Sequence, residues 1–160
     1  NEQGWHNYSY NEYSTSYIPG KGVYSWFLVS YKNDDNNFII EGLVGGLEIN
    51  NYDNKKCINK LDNAALSISE LFKNTEREEK KTYELTADAA QSYPFTGKSI
   101  TTSLSFNFLD GAKVILACYN MDKEAKENES FLKSILNQND SFRIEARSST
   151  FANYLKKLNL

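Results

Sequence analysis

Residues 100–108 read ITTSLSFNF, and this stretch decides the fold class. Ile100, Thr102, Leu104, Phe106 and Phe108 fall on one side of an extended chain, and Thr101, Ser103, Ser105 and Asn107 on the other. Strict alternation over nine residues fits a half-buried strand and no helix. Asp110-Gly111 follows, a dipeptide favoured in hairpin turns because both residues tolerate left-handed backbone. Residues 112–119, AKVILACY, then return antiparallel and carry Cys118 near their end.

Working outward, the first fifty residues also read as β. Pro19-Gly20-Lys21-Gly22 signals a turn. Val23–Lys32 is a mostly apolar strand, and Asn33–Asn37 is a polar turn. Phe38–Ile49 is a further strand that contains Gly42, Gly45 and Gly46, which suggests a bulge or bend. Leu61–Lys73 is compatible with a helix or a strand. The charge run Thr75–Lys81 reads as a loop or helix end. Residues 81–87 (KTYELTA) alternate as a half-buried strand, and Ser92–Gly97 reads as a turn.

Towards the C-terminus, Asp122–Asn137 places Phe131, Leu132, Ile135 and Leu136 at helical spacing. Phe142, Ile144 and Ala146 make a short strand. Ser149 is a plausible cap for a terminal helix over Thr150–Leu158, with Phe151, Tyr154, Leu155 and Leu158 on one stripe. The expected fold is mainly β within the α+β class. It is an antiparallel sheet or sandwich with one or two short C-terminal helices, in one globular domain spanning 1–160.

Composition narrows the function classes. The chain has 160 residues, 40% hydrophobic, 24% charged, with net charge −3. That balance describes a globular chain and argues against a nucleic-acid partner, which would require a basic face. No apolar run approaches the ~20 residues that span a bilayer as a helix. Cys57 and Cys118 are the two cysteines. An even count suggests one internal disulfide; two buried free thiols or one reactive thiol are the alternatives. The start at Asn1 fits a chain with its signal peptide removed. Together these features predict an extracytoplasmic, periplasmic or secreted, protein.

Chemistry-bearing motifs are sparse. His6 is the lone histidine and lies near the terminus, an unpromising place for a catalytic base. Two cysteines and one distant histidine do not make a zinc set, so no metal and no cofactor are expected. Gly97-Lys98-Ser99 resembles the end of a phosphate loop, but Ser92 stands where that loop needs glycine. The Gly42–Gly46 cluster lacks the dinucleotide-binding order. The Asx-rich stretches at 34–37 and 50–54 miss the EF-hand pattern and read as turns. Glu76, Glu78 and Glu79 read as solvated. Glu41, Glu48, Glu70 and Asp110 stand nearer apolar segments, but no spacing marks a catalytic pair. Asn7, Asn128 and Asn139 head glycosylation sequons, which matter only for a eukaryotic source.

The aromatic N-terminus is the best recognition candidate. Trp5, Tyr8, Tyr10, Tyr13 and Tyr17, followed by Tyr24 and Trp26, crowd into 22 residues. Exposed on one sheet face, they would anchor a protein or stack on a glycan; packed inside, they would do neither. The expected function is non-catalytic binding of a protein or glycan. An inhibitor or immunity protein against a toxin or hydrolase, steered to a basic target by net negative charge, is the alternative. A small carboxylate-dependent hydrolase is the third.

Residues 103–118 (SLSFNFLDGAKVILAC) and 131–158 run strand, hairpin, cysteine, helix, strand, terminal helix. In this order the C-terminal half resembles exported bacterial proteins of the invasion-associated locus B type. The resemblance implies a non-enzymatic periplasmic or surface protein and carries over no catalytic residue.

Overall fold

A computed structural model describes residues 10–16, 24–32, 36–37, 39–49, 54–84, 99–120 and 141–157, with the backbone alone at 10–16 and Tyr154. Trp5, Tyr8, Tyr17, the expected helix at 122–137 and the turns at 19–22 and 92–97 lie outside these residues. Over these residues the fold is a mainly antiparallel β-sheet with two helices, the β-rich α+β class expected from the sequence.

Eight strands form one sheet: β1 (Tyr10–Ser16), β2 (Trp26–Lys32), β3 (Ile40–Glu48), β4 (Glu76–Arg77), β5 (Lys81–Glu84), β6 (Ile100–Asn107), β7 (Lys113–Asn120) and β8 (Ser141–Arg147). Helix α1 covers Asn54–Leu71 and helix α2 Ser149–Lys157. The spatial order is β1-β2-β3-β8-β7-β6-β4, with β5 also on β6. Two meanders therefore meet at the β3–β8 seam. The chain leaves β3 in mid-sheet and must reach the far edge at β4. Helix α1 makes that crossing, so it lies over β8 and β7 and packs against β6.

The hairpin at 100–119 forms as expected, with Phe106 opposite Val114 and Leu104 opposite Leu116. Its loop has three residues, Leu109 to Gly111, closed by Phe108 N–H donating to the Ala112 carbonyl. Gly111 takes φ +88°, a conformation that glycine adopts without a Cβ penalty. Asp110 Oδ1 accepts from the Ala112 N–H at 2.9 Å.

Helix α1 settles the ambiguous middle of the chain. Cys57, Leu61 and Ala65 recur every four residues and are buried, with Ile58, Ala64 and Ile68 beside them. They pack on Leu104, Phe106, Leu116 and Phe142, all on one sheet face. Cys57 and Cys118 are joined in a disulfide, with Cα atoms 5.9 Å apart. The bond ties the first turns of α1 to β7 inside the core.

Three expectations are corrected. Residues 76–84 form an interrupted edge strand on β6, where a loop or helix end was expected for the charge run. The register moves by one residue between Arg77↔Phe106 and Lys81↔Ser103. The alternating stretch at 81–84 is exposed throughout, because nothing described packs on either face of that edge. Helix α2 is capped by Ser148 and not Ser149: Ser148 Oγ accepts from Phe151 N–H at 3.1 Å.

Candidate functional site

Among the described residues, α1 covers one half of the sheet face it packs on and no helix covers the other half. The helix-side face continues past β8 onto β3, β2 and β1. Register rows identify its residues: Tyr13, Val29, Leu43 and Ala146 stand in one row, and Thr15, Phe27, Gly45 and Ile144 in the next. No described element covers β2 and β3 here. Leu43 is 40% exposed and Ile40 59% exposed, while Phe27 and Val29 are half-buried.

A wall borders this open face. On α1, Lys60, Ala64, Ser67 and Leu71 recur at helical spacing along one flank. Asp62, on the opposite flank, pairs with Lys80 next to β5. The Lys60 flank therefore overlooks β3. Between flank and sheet runs a groove of about 280 Å³, floored by Leu47, Phe142 and Ile144 and rimmed by Tyr24, Lys60 and Asn63. Tyr24 leans over Gly45, where a Cβ would come within 3.0 Å of its ring. It also meets Phe27 at 5.3 Å between ring centroids. Burial pushes the Tyr24 phenol above its ordinary pKa, so it stays a neutral hydroxyl at the groove rim.

The electrostatics are one-sided. Among the described residues, the β2–β3 floor and the Lys60 flank carry no carboxylate, and Lys60 makes no ion pair. Glu41, expected near an apolar segment, is the extra residue of the β3 bulge and bonds Ser148. The local charge is thus positive on a chain of net charge −3.

The opposite face differs. Arg143 stacks its guanidinium 4.0 Å from the Tyr119 ring and 5.2 Å from the Trp26 ring. A cavity of about 170 Å³ lies beside them, lined also by Leu28, Val44 and Ile115. Trp26 is 7% exposed, its indole laid against Gly46 where a Cβ would overlap it. These rings are occupied by their own neighbours. Burial, chiefly, raises the Tyr119 pKa.

Of the sequence candidates, Tyr13 stands in the same face row as Val29 and Leu43, and Tyr10 pairs with Lys32 at the end of β1. Trp26 belongs to the core. Phe27, Val29, Ile40, Leu43 and Lys60 escaped sequence reasoning, since each looks like an ordinary strand or helix residue. Among the described residues the carboxylate with a large shift is Glu78, which sits at about 2, below the usual 4.5, held chiefly by Asn107 Nδ2, then by Ser105, with Lys113 helping. Among the described residues no three histidine, cysteine or acidic side chains converge as a metal site. No described helix is long and apolar enough to cross a membrane.

Set against protein-family models, curated proteins and solved structures, the chain matches none.

Proposed function

We propose that this is an exported, non-catalytic recognition protein that binds a protein partner through the open half of its helix-side sheet face. The carrying observation is the exposed pair Ile40 and Leu43, with half-buried Phe27 and Val29 beside them, which no described helix covers, next to the groove beside α1. Contiguous exposed apolar surface rimmed by polar groups marks interaction sites in soluble proteins. A glycan would require a dense set of hydrogen-bonding side chains, and this floor is aliphatic and aromatic. Glu78, whose pKa is lowered by its partners, behaves as a structural anion and not as a proton donor. The buried disulfide fits an oxidising compartment, as does the resemblance of the C-terminal half to exported invasion-associated locus B type proteins.

The test is site-specific photo-crosslinking in the cells that make the protein. A crosslinker at Leu43 should give one discrete protein adduct; a control at Leu66, exposed on the outer side of α1, should not. The adduct should form again from the two purified proteins. No adduct at Leu43, the same adducts from both positions, or a carbohydrate adduct would each overturn the proposal.

A further inference from the structure

The tip of the β6–β7 hairpin carries a chemically labile pair. Asp110-Gly111 is the one Asp-Gly step in the sequence, and no Asn-Gly step occurs in it. Independently of the recognition role proposed above, we infer that Asp110-Gly111 is a spontaneous isomerisation site, which the folded hairpin holds shut and opening of its tip releases.

The chemistry is general to such pairs. The Gly111 amide nitrogen loses its proton and attacks Cγ of the Asp110 side chain. The N–Cγ bond forms, a carboxyl oxygen leaves as water, and a five-membered cyclic imide results. Water then adds to one of the two ring carbonyls. Breaking the new N–Cγ bond restores aspartate. Breaking the original peptide C–N bond instead leaves the chain running through Cβ and Cγ, as isoaspartate. One water leaves and one enters, so the conversion requires no oxidant, reductant or enzyme. Glycine promotes it because no Cβ shields the attacking nitrogen.

Both residues are exposed, so water reaches them. Their bonding opposes the reaction. The Gly111 N–H donates to the Phe108 carbonyl at 2.9 Å. Removing that proton would set an anionic nitrogen against a carbonyl oxygen. Asp110 Oδ1 accepts from the Ala112 N–H at 2.9 Å, which restrains the side-chain rotation that carries Cγ onto the nitrogen. The backbone adds a third obstacle. A three-residue loop ending in a left-handed glycine, here Gly111, is built on a type I turn, which sets ψ at Asp110 to about 0°. The imide ring requires the Asp110 Cβ in plane with the Gly111 nitrogen, and that ψ holds it out of plane.

The product would persist as a mark of the opening. Isoaspartate adds a backbone carbon inside the tight loop. The extra carbon displaces Phe108 from Ala112 and Asn107 from Lys113, so the hairpin closes less well afterwards.

The experiment follows isomerisation at neutral pH in the folded, oxidised full chain, in the same chain unfolded by guanidinium chloride, and in a synthetic peptide of residues 104–116. Peptide mapping reads isoaspartate as a fragment of unchanged mass and altered retention. Each hydrogen bond that must break slows the reaction by roughly two- to tenfold, so the folded chain should react at least about tenfold more slowly than the unfolded chain and the peptide. Asp110→Asn supplies a second readout. The same attack then expels ammonia, and hydrolysis of the imide leaves a resolvable mass gain. Its side-chain oxygen still accepts from Ala112, so the folded variant should be protected as well. Equal rates in the folded and unfolded chain, by either readout, would overturn the inference. The chain carrying isoaspartate at position 110 should unfold at lower denaturant than its parent, and an equal midpoint would overturn the coupling between this step and the hairpin.

Discussion

The Cys57–Cys118 bond gives the most exacting test of how this fold is held. Its residues are 61 apart in sequence, and closing a loop of that size removes enough unfolded-chain entropy to stabilise the native state by about 4 kcal/mol. Typical domain stability is about 5–15 kcal/mol, so the bond decides whether the protein is robust or marginal. Two perturbations separate its contributions. Reduction keeps both sulfur atoms in the core and removes the constraint alone. Cys57→Ala with Cys118→Ala also leaves a void at two fully buried positions, which adds about 1–2 kcal/mol. Serine is the poorer choice, because a hydroxyl would be buried among Leu61, Leu116 and Phe142.

For a chain of 160 residues, each kcal/mol moves the melting temperature by roughly 2–4 °C. The reduced protein should melt about 8–16 °C below the oxidised one, and the double alanine variant lower still. Urea titration followed by far-UV circular dichroism checks this in free energy. The slope should also rise on reduction, because the freed unfolded chain exposes more surface. A loss below about 1 kcal/mol with an unchanged slope would refute the unfolded-state argument.

Three further outcomes follow from packing and charge. Gly46→Ala should cost at least about 2 kcal/mol by urea titration, because the new Cβ would overlap the Trp26 indole; a neutral result would mean that the ring moves freely. Glu78 has its folded pKa depressed to about 2 against 4.5 unfolded, so its stabilisation is full above about pH 5 and is lost as pH falls from 4.5 towards 2. The side chain is a third exposed, so solvent screening holds this to about 1 kcal/mol, and Glu78→Gln should flatten the acid limb of the stability curve. Arg143→Met should cost about 1 kcal/mol and alter the near-UV dichroism of Tyr119 and Trp26, while an unchanged spectrum would show the stacking to be incidental.

Much of the sheet was legible because apolar and polar residues alternate, and at 100–108 that alternation puts Leu104 and Phe106 on the α1 side. Burial alternates less, since Thr101 and Ser105 on the other side are buried too and Ile100 is exposed. Strands 76–77 and 81–84 form an edge with neither face buried, so no hydrophobic period marks them. Leu61–Lys73 stayed ambiguous because its polar residues interrupt either pattern; the buried series Cys57, Leu61 and Ala65 starts earlier and resolves it. The glycines of β3 carry a bulge at Glu41, as expected, and two of them also seat rings: Tyr24 on Gly45 and Trp26 on Gly46. That second role depends on residues some twenty positions away and leaves no local signal. The terminal helix was legible, but its cap lies one residue earlier, where Ser148 reaches the Phe151 amide.

The open face was not legible at all, and the reason is topological. Phe27, Val29 and Leu43 read as core residues because they sit in apolar strands. Whether such a residue is covered depends on the path of the next connection. The chain leaves β3 at the centre of the sheet and re-enters at the β4 edge, so α1 must cross β8 and β7 and cannot also lie over β2. The disulfide then fixes that offset, because Cys57 near the start of α1 is bonded to Cys118 on β7. The bond and the packed series Leu61 and Ala65 together set which strands α1 covers.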